Sequence, residues 1–212
     1  MRKITKGEAP YELNKWVRSH PNKKYADLGE DETGVKPAIR DACLKKQYGL
    51  CAHCCKPITA DNSSSHNEHV VAQRIDQNRT TDFTNIVASC ETPNQCGKAH
   101  GHQPLPLTPL MDECETELKF SYSGRVRGTT ARADENLDVL KLQSRSLNAA
   151  RKLAIEALQY EFGTPPEEAA ELDADIIKIL LAELAPQKGC DLKPYAPVLV
   201  NILEHELEGM QG

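Results

Sequence analysis

Aromatic residues are scarce. They make up 5% of the 212 residues, with one Trp and three Phe, so ring packing contributes little to a core. No apolar run approaches the roughly 20 residues that a membrane span requires. The charged start, Met1-Arg2-Lys3-Ile4-Thr5-Lys6, has no following apolar stretch of secretory type. The expectation is a cytoplasmic bacterial protein with no membrane partner. Internal repeats are absent as well. So is a surplus of basic charge, because the formal net charge is -5, which argues against binding nucleic acid by bulk charge alone.

The charge is unevenly placed. Residues 1–128 hold 18 Lys/Arg against 16 Asp/Glu, a net of +2, whereas residues 165–212 hold 3 against 10, a net of -7. Any contact with nucleic acid is therefore expected in the first half. Hydrophobic residues at 39% and charged residues at 27% describe a globular chain of one domain or two small ones.

What the chain does have is cysteine. Five of its eight, Cys51, Cys54, Cys55, Cys90 and Cys96, fall within 46 positions. In a cytoplasmic protein this crowding points to metal before disulfides. Cys51-Ala52-His53-Cys54 can chelate from one tight turn, and Cys90 with Cys96 completes a tetrahedral thiolate set for structural Zn²⁺. A turn-rich region needs such a brace. The second pair is spaced by five instead of two, with Pro93 inside it. Cys55 and His53 lie within reach of the same ion, although four cysteines complete the set without them.

The chain opens on a polar segment with weak local signals, and Gly29-Glu30-Asp31-Glu32-Thr33-Gly34 reads as a loop. Pro37 then suits the first turn of a helix carrying Ile39, Ala42, Cys43 and Lys46 on one face, ended at Tyr48-Gly49. Alternation through Leu118, Phe120 and Tyr122, a turn at Gly124, and Arg125-Val126-Arg127 predict a hairpin. Beyond Asp134 the signal is helical. Leu147, Ala150, Ala154 and Leu158 line one face up to Gly163, and Thr164-Pro165-Pro166-Glu167 fits a capping box. Leu172, Ile176, Ile179, Leu180 and Leu184 line the next helix, and a last one spans about Pro197 to Leu207. The division expected is a polar segment over 1–36, a zinc-braced domain over 37–130, and an acidic helical region over 131–212.

Between the cysteine pairs stand Asn67-Glu68-His69-Val70-Val71 and Thr84-Asn85-Ile86-Val87-Ala88-Ser89-Cys90, followed by Cys96-Gly97-Lys98-Ala99-His100-Gly101-His102. This order resembles the HNH nucleases of the ββα-metal fold, an α+β class. Across Ile39-Arg40-Asp41, Tyr48-Gly49-Leu50-Cys51, the Glu68-His69 segment and Cys96-Gly97 it looks like the PtuB family, the HNH subunits of Septu-type and retron-associated antiphage defence. The resemblance implies that Glu68 and His100 hold a divalent cation, Mg²⁺ with Mn²⁺ as the alternative. It implies that His69 is the general base and that Asn85 orients its imidazole. His102 and Asn94 compete with His100 for the ligand position, and His66 reads as a loop residue.

The same resemblance implies a PtuA-like ATPase partner, an assembly with a retron reverse transcriptase and its msDNA, and a nucleic-acid substrate, DNA before RNA. The acidic second half or the polar opening would dock the ATPase. Two other readings compete: a non-catalytic zinc-braced nucleic-acid-binding module, and a standalone HNH restriction endonuclease. A binding module has no use for an intact Glu68, His69, Asn85 and His100 set. A standalone enzyme would carry a basic DNA-reading domain, which the acidic half does not resemble.

Overall fold

The computed structural model describes residues 1–29, 34–161 and 173–210. The capping box at Thr164–Glu167, Leu172, and residues 30–33 of the expected loop lie outside the described residues.

The architecture is mixed α+β. Helix α1 (Tyr11–Ser19) packs on α2 (Val35–Gln47), and α2 lies across an antiparallel pair, β1 (Ser65–His69) and β2 (Ile86–Cys90). A single helical turn, α3 (Gly97–His100), follows. A second antiparallel pair, β3 (Leu118–Phe120) and β4 (Val126–Gly128), leads into α4 (Ala131–Val139), α5 (Arg145–Glu161), α6 (Ala174–Leu184) and α7 (Ala196–Gly209). Among the described residues no helix is long and apolar enough to cross a membrane.

Helix α2 forms as its punctuation predicts. Ile39 and Cys43 are fully buried one turn apart, and Tyr48 (φ 53°) and Gly49 (φ 72°) end it in left-handed geometry. Its last residue, Gln47, closes the outer edge of β2. The Gln47 amide donates to Ala88 O at 2.9 Å and Leu50 O at 2.7 Å, and its carbonyl accepts from Ala88 N at 2.8 Å. All five residues of β2 are buried, and this side-chain bracket helps to pair the strand edge that β1 leaves open.

Two elements differ from the sequence expectation. The opening segment contains a helix, α1, because Leu13 and Trp16 bury one turn apart inside an otherwise polar stretch. In α6 the buried face is Ile177, Leu180 and Leu184, while Ile176 and Ile179 are 40% and 56% exposed. Packing on α7 selects that face, and the extra isoleucines on the other side hide the choice from periodicity.

One cluster of buried residues gathers Leu13 and Trp16, the cysteines of the knuckle, Leu118, and Leu199 and Ile202 of α7. Asn201 ties the second hairpin to α7, donating to Leu118 O at 3.1 Å and accepting from Phe120 N at 3.1 Å.

Candidate active site

Cys51, Cys54, Cys90 and Cys96 are all buried, and their Sγ atoms lie within 4.8 Å of one another. The Cys54 and Cys90 sulfurs are 3.9 Å apart. Zn–S bonds of about 2.3 Å in a tetrahedron separate sulfurs by about 3.8 Å, so the donor set fits such an ion. The first pair sits on a turn pinned to β2 by Ala52 N–H to Ala88 O at 3.1 Å. Cys90 ends β2, and Cys96, with φ 52°, opens α3. Cys90 N–H donates to Cys51 Sγ at 3.4 Å. Hydrogen bonds from Cys51, Cys54 and Cys96 pull the Cys90 thiol down towards the thiolate, and burial pushes Cys96 up. Four crowded thiols cannot all ionise without a cation among them. Cys55 stays outside the group and carries Tyr195 N–H on its carbonyl at 3.1 Å.

Strand β1 sends Glu68 and His69 to opposite faces. On one face Glu68 Oε1 meets His100 Nδ1 at 2.5 Å, and Oε2 lies 3.3 Å from His66 Nε2. His100 Nε2 is 2.6 Å from Gln103 O. A carbonyl only accepts, so Nε2 carries the proton and Nδ1 turns its lone pair on a carboxylate. Two acceptors at that distance bracket a positive species, either a shared proton or a metal ion. Donating the second N–H to a backbone carbonyl is also how ligand histidines are commonly held. The Glu68 carboxyl and the unprotonated His100 Nδ1 are donors of the kind a divalent cation takes, while their 2.5 Å spacing is that of a shared proton. Burial pushes the Glu68 carboxyl up, but bonds from His100 and His66 outweigh it and hold it down at about 2.

His66, expected in a loop, is the second residue of β1, opposite Ser89. Its Nδ1 lies 2.8 Å from Glu91, which pairs with Lys98 at 2.8 Å. A Cβ at Gly97 would come within 2.6 Å of His66 Nε2 and 2.7 Å of Glu68 Oε2, so any larger residue there displaces these two side chains. His102 and Asn94 are exposed, whereas His100 is fully buried.

His69 occupies the other face. Its Nε2 lies 2.8 Å from Thr80 O, which again assigns the proton to Nε2 and leaves the lone pair on Nδ1, with the Gln73 amide 3.3 Å away. The Tyr25 ring stands edge-on to the imidazole at 4.7 Å. Burial lowers the His69 pKa, so the ring is neutral near pH 7. Asn85 does not reach the imidazole through its hydrogen bonds. Its amide instead brackets the intervening loop, accepting from Val71 N at 2.8 Å and donating to Val71 O at 3.0 Å and Arg79 O at 3.2 Å. Arg79 precedes Thr80, so Asn85 holds the carbonyl that orients His69. The positions of Thr80 and Tyr25 carried no motif in the sequence.

No family model matches the chain. Over 160 residues, 70% of this chain and 78% of the relative, it is 26% identical to a Vibrio cholerae serotype O1 biovar El Tor protein named "Retron Vc95 putative HNH endonuclease". The strand pair, the four-cysteine group and the helical second half are consistent with an HNH-type nuclease fold.

Proposed function

We propose that this chain is a metal-dependent HNH endonuclease that hydrolyses nucleic-acid phosphodiester bonds, with Zn²⁺ in the four-cysteine group as its brace. The observation that carries the reading is the two-faced strand β1. Glu68 meets a buried histidine on one side, and a neutral imidazole whose unprotonated Nδ1 faces the Gln73 amide stands on the other. A divalent ion bound at Glu68 and His100 supplies Lewis-acid charge for the scissile phosphate and the leaving oxygen.

The protein's own residues account for the proton. His69 Nδ1 takes a proton from water as the water oxygen attacks phosphorus, and the bond to the leaving oxygen breaks. The Thr80 carbonyl, receiving Nε2–H, keeps the tautomer correct and favours the imidazolium that forms. Asn85 acts as a positioning residue through the loop.

We further propose a defence role beside an ATPase of PtuA type and a reverse transcriptase–msDNA assembly; the retron in the relative's name supports a retron setting, and the ATPase rests on the sequence resemblance alone. The acidic balance after residue 165 and exposed Leu153, Tyr160, Ile176 and Ile179 support partner contact through residues 131–212. Exposed Tyr11 supports a contribution from residues 1–36. Co-expression of the chain with its genomic neighbour tests this, followed by assay of the purified complex on plasmid DNA and total RNA with and without chelator. Chelator-sensitive cleavage is expected. A complex inert on both substrates would contradict the reading.

A further inference from the structure

The small surplus of basic charge over residues 1–128 hides a local concentration of it. In the β3–β4 hairpin, Leu118, Phe120 and Val126 alternate with Lys119, Ser121, Arg125 and Arg127. The first set packs inwards, with Leu118 1% and Val126 6% exposed. The second set therefore points away from the core, with Arg125 and Arg127 exposed and Lys119 half-buried. Register places Lys119 directly opposite Arg127. Like charges at facing positions destabilise a strand pair, so folding alone gives no reason for them.

Neighbouring cations are neutralised and these are not. Arg132 pairs with Glu117 and Glu113, and Lys152 lies 3.2 Å from Glu156. Among the described residues, Lys119, Arg125 and Arg127 make no ion pair and no side-chain hydrogen bond. The hairpin and the last turns of α7 enclose a concavity of about 520 Å³, lined by these three cations with Tyr122, His205 and Glu206. Three cations against one lining carboxylate leave a net of +2 here, in a chain whose total is -5.

Resting on the nuclease reading, we propose that this face of the hairpin holds the phosphate backbone of duplex DNA, apart from the residues that cut it. Arg125 and Arg127 stand two residues apart on extended chain, about 7 Å along it, close to the step between successive phosphates of a DNA strand. Arginine grips phosphate oxygens through paired N–H groups, and Lys119 adds a point charge beside them. Duplex DNA fits better than duplex RNA. A two-stranded ribbon matches the width of the B-form major groove, whereas the A-form groove is too narrow for side chains.

The test measures binding without turnover, on the zinc-loaded full chain with no divalent ion added. A labelled DNA duplex is titrated by anisotropy over a range of salt with wild type and with the triple variant Lys119→Gln, Arg125→Gln, Arg127→Gln. A control, Lys15→Gln, Arg18→Gln, Lys188→Gln, removes the same charge from exposed positions elsewhere. The hairpin variant should bind about 10–100-fold more weakly at low salt, and its log–log salt slope should fall by about 2.7. The control should stay within a few-fold of wild type. Lys119→Gln alone should not lower the melting temperature, because it relieves the contact with Arg127, and zinc content should hold in every variant. Equal losses in the two triple variants would reduce the effect to bulk charge and overturn the proposal. So would wild type that fails to bind DNA at low salt, or a loss seen with duplex RNA and not with DNA. A hairpin variant that binds DNA like wild type but no longer co-purifies with the co-expressed partner would make this face a protein interface instead. Hairpin-dependent DNA binding by a chain that never cleaves removes the nuclease reading and leaves this surface standing. Cleavage by a chain whose DNA binding ignores the hairpin removes only the surface.

Discussion

Replacing Asn85 with Ala removes three hydrogen bonds from a fully buried side chain, to Val71 N, Val71 O and Arg79 O. Each is worth about 1 kcal/mol net, and stranded partners add to that where water cannot reach them, so the loss should be about 3–4 kcal/mol. In a chain of this size that lowers the melting temperature by about 6–16 °C. Asn85→Asp should do no better. It keeps the bond from Val71 N but sets a carboxylate oxygen against two carbonyls. The zinc site should survive, because none of its ligands touches this amide. Well below melting, cleavage should still fall, because the Thr80 carbonyl loses its hold on His69. Calorimetry, zinc content and single-turnover cleavage measure the three effects. Variants within about 0.5 kcal/mol of wild type, the range of neutral surface changes, would refute the loop-bracket role.

Cys51→Ser and Cys90→Ser should each reduce bound zinc and unfold the first half, since binding there is folding free energy; metal analysis with circular dichroism checks this. Arg151 is 1% exposed, donates to Leu142 O at 2.9 Å and lies in the field of Cys54, Cys55 and Cys96. Its guanidinium would offset the negative charge of a zinc–tetrathiolate group, so Arg151→Met should weaken zinc retention against a chelator. Gly97→Ala should push the Glu68 carboxylate and His66 aside and weaken divalent-ion binding with little change in melting, measurable by titration. The base must be unprotonated to act, and burial places the His69 pKa below the usual value of about 6.5. Cleavage should therefore be flat near pH 7 and fall only as pH drops through the lowered pKa, with the midpoint of the acid limb below 6.5 in a pH–rate profile.

The parts of this site that were legible in the sequence are those whose chemistry is carried by residue type and order. Cysteines paired across a turn, an acid beside a histidine, and a histidine after Cys96 are few enough to read directly. The hairpin was legible through alternation, and α2 through Pro37 and Gly49. Helix α1 was not, because Leu13 and Trp16 are two apolar anchors in a polar stretch. Nor were the contacts that set the chemistry of His69. Thr80 acts through its backbone carbonyl, which every residue possesses, and Tyr25 arrives from 44 positions away. The sequence singles out Asn85 but aims its amide at the imidazole, whereas it pairs with the Val71 and Arg79 backbone, since an amide pairs as readily with backbone as with an imidazole. His53 was in view as a spare ligand of the knuckle.

In the proposed mechanism His69, held by the Thr80 carbonyl, activates water for phosphodiester hydrolysis. The most direct measurement compares wild type and His69→Ala, both zinc-loaded and assembled with the co-expressed partner, in single-turnover cleavage of labelled nucleic acid with divalent ion in excess. A loss of about 10²–10⁴-fold is expected, the usual contribution of a general base, with zinc content and melting unchanged. Cleavage by His69→Ala within a few-fold of wild type would contradict it.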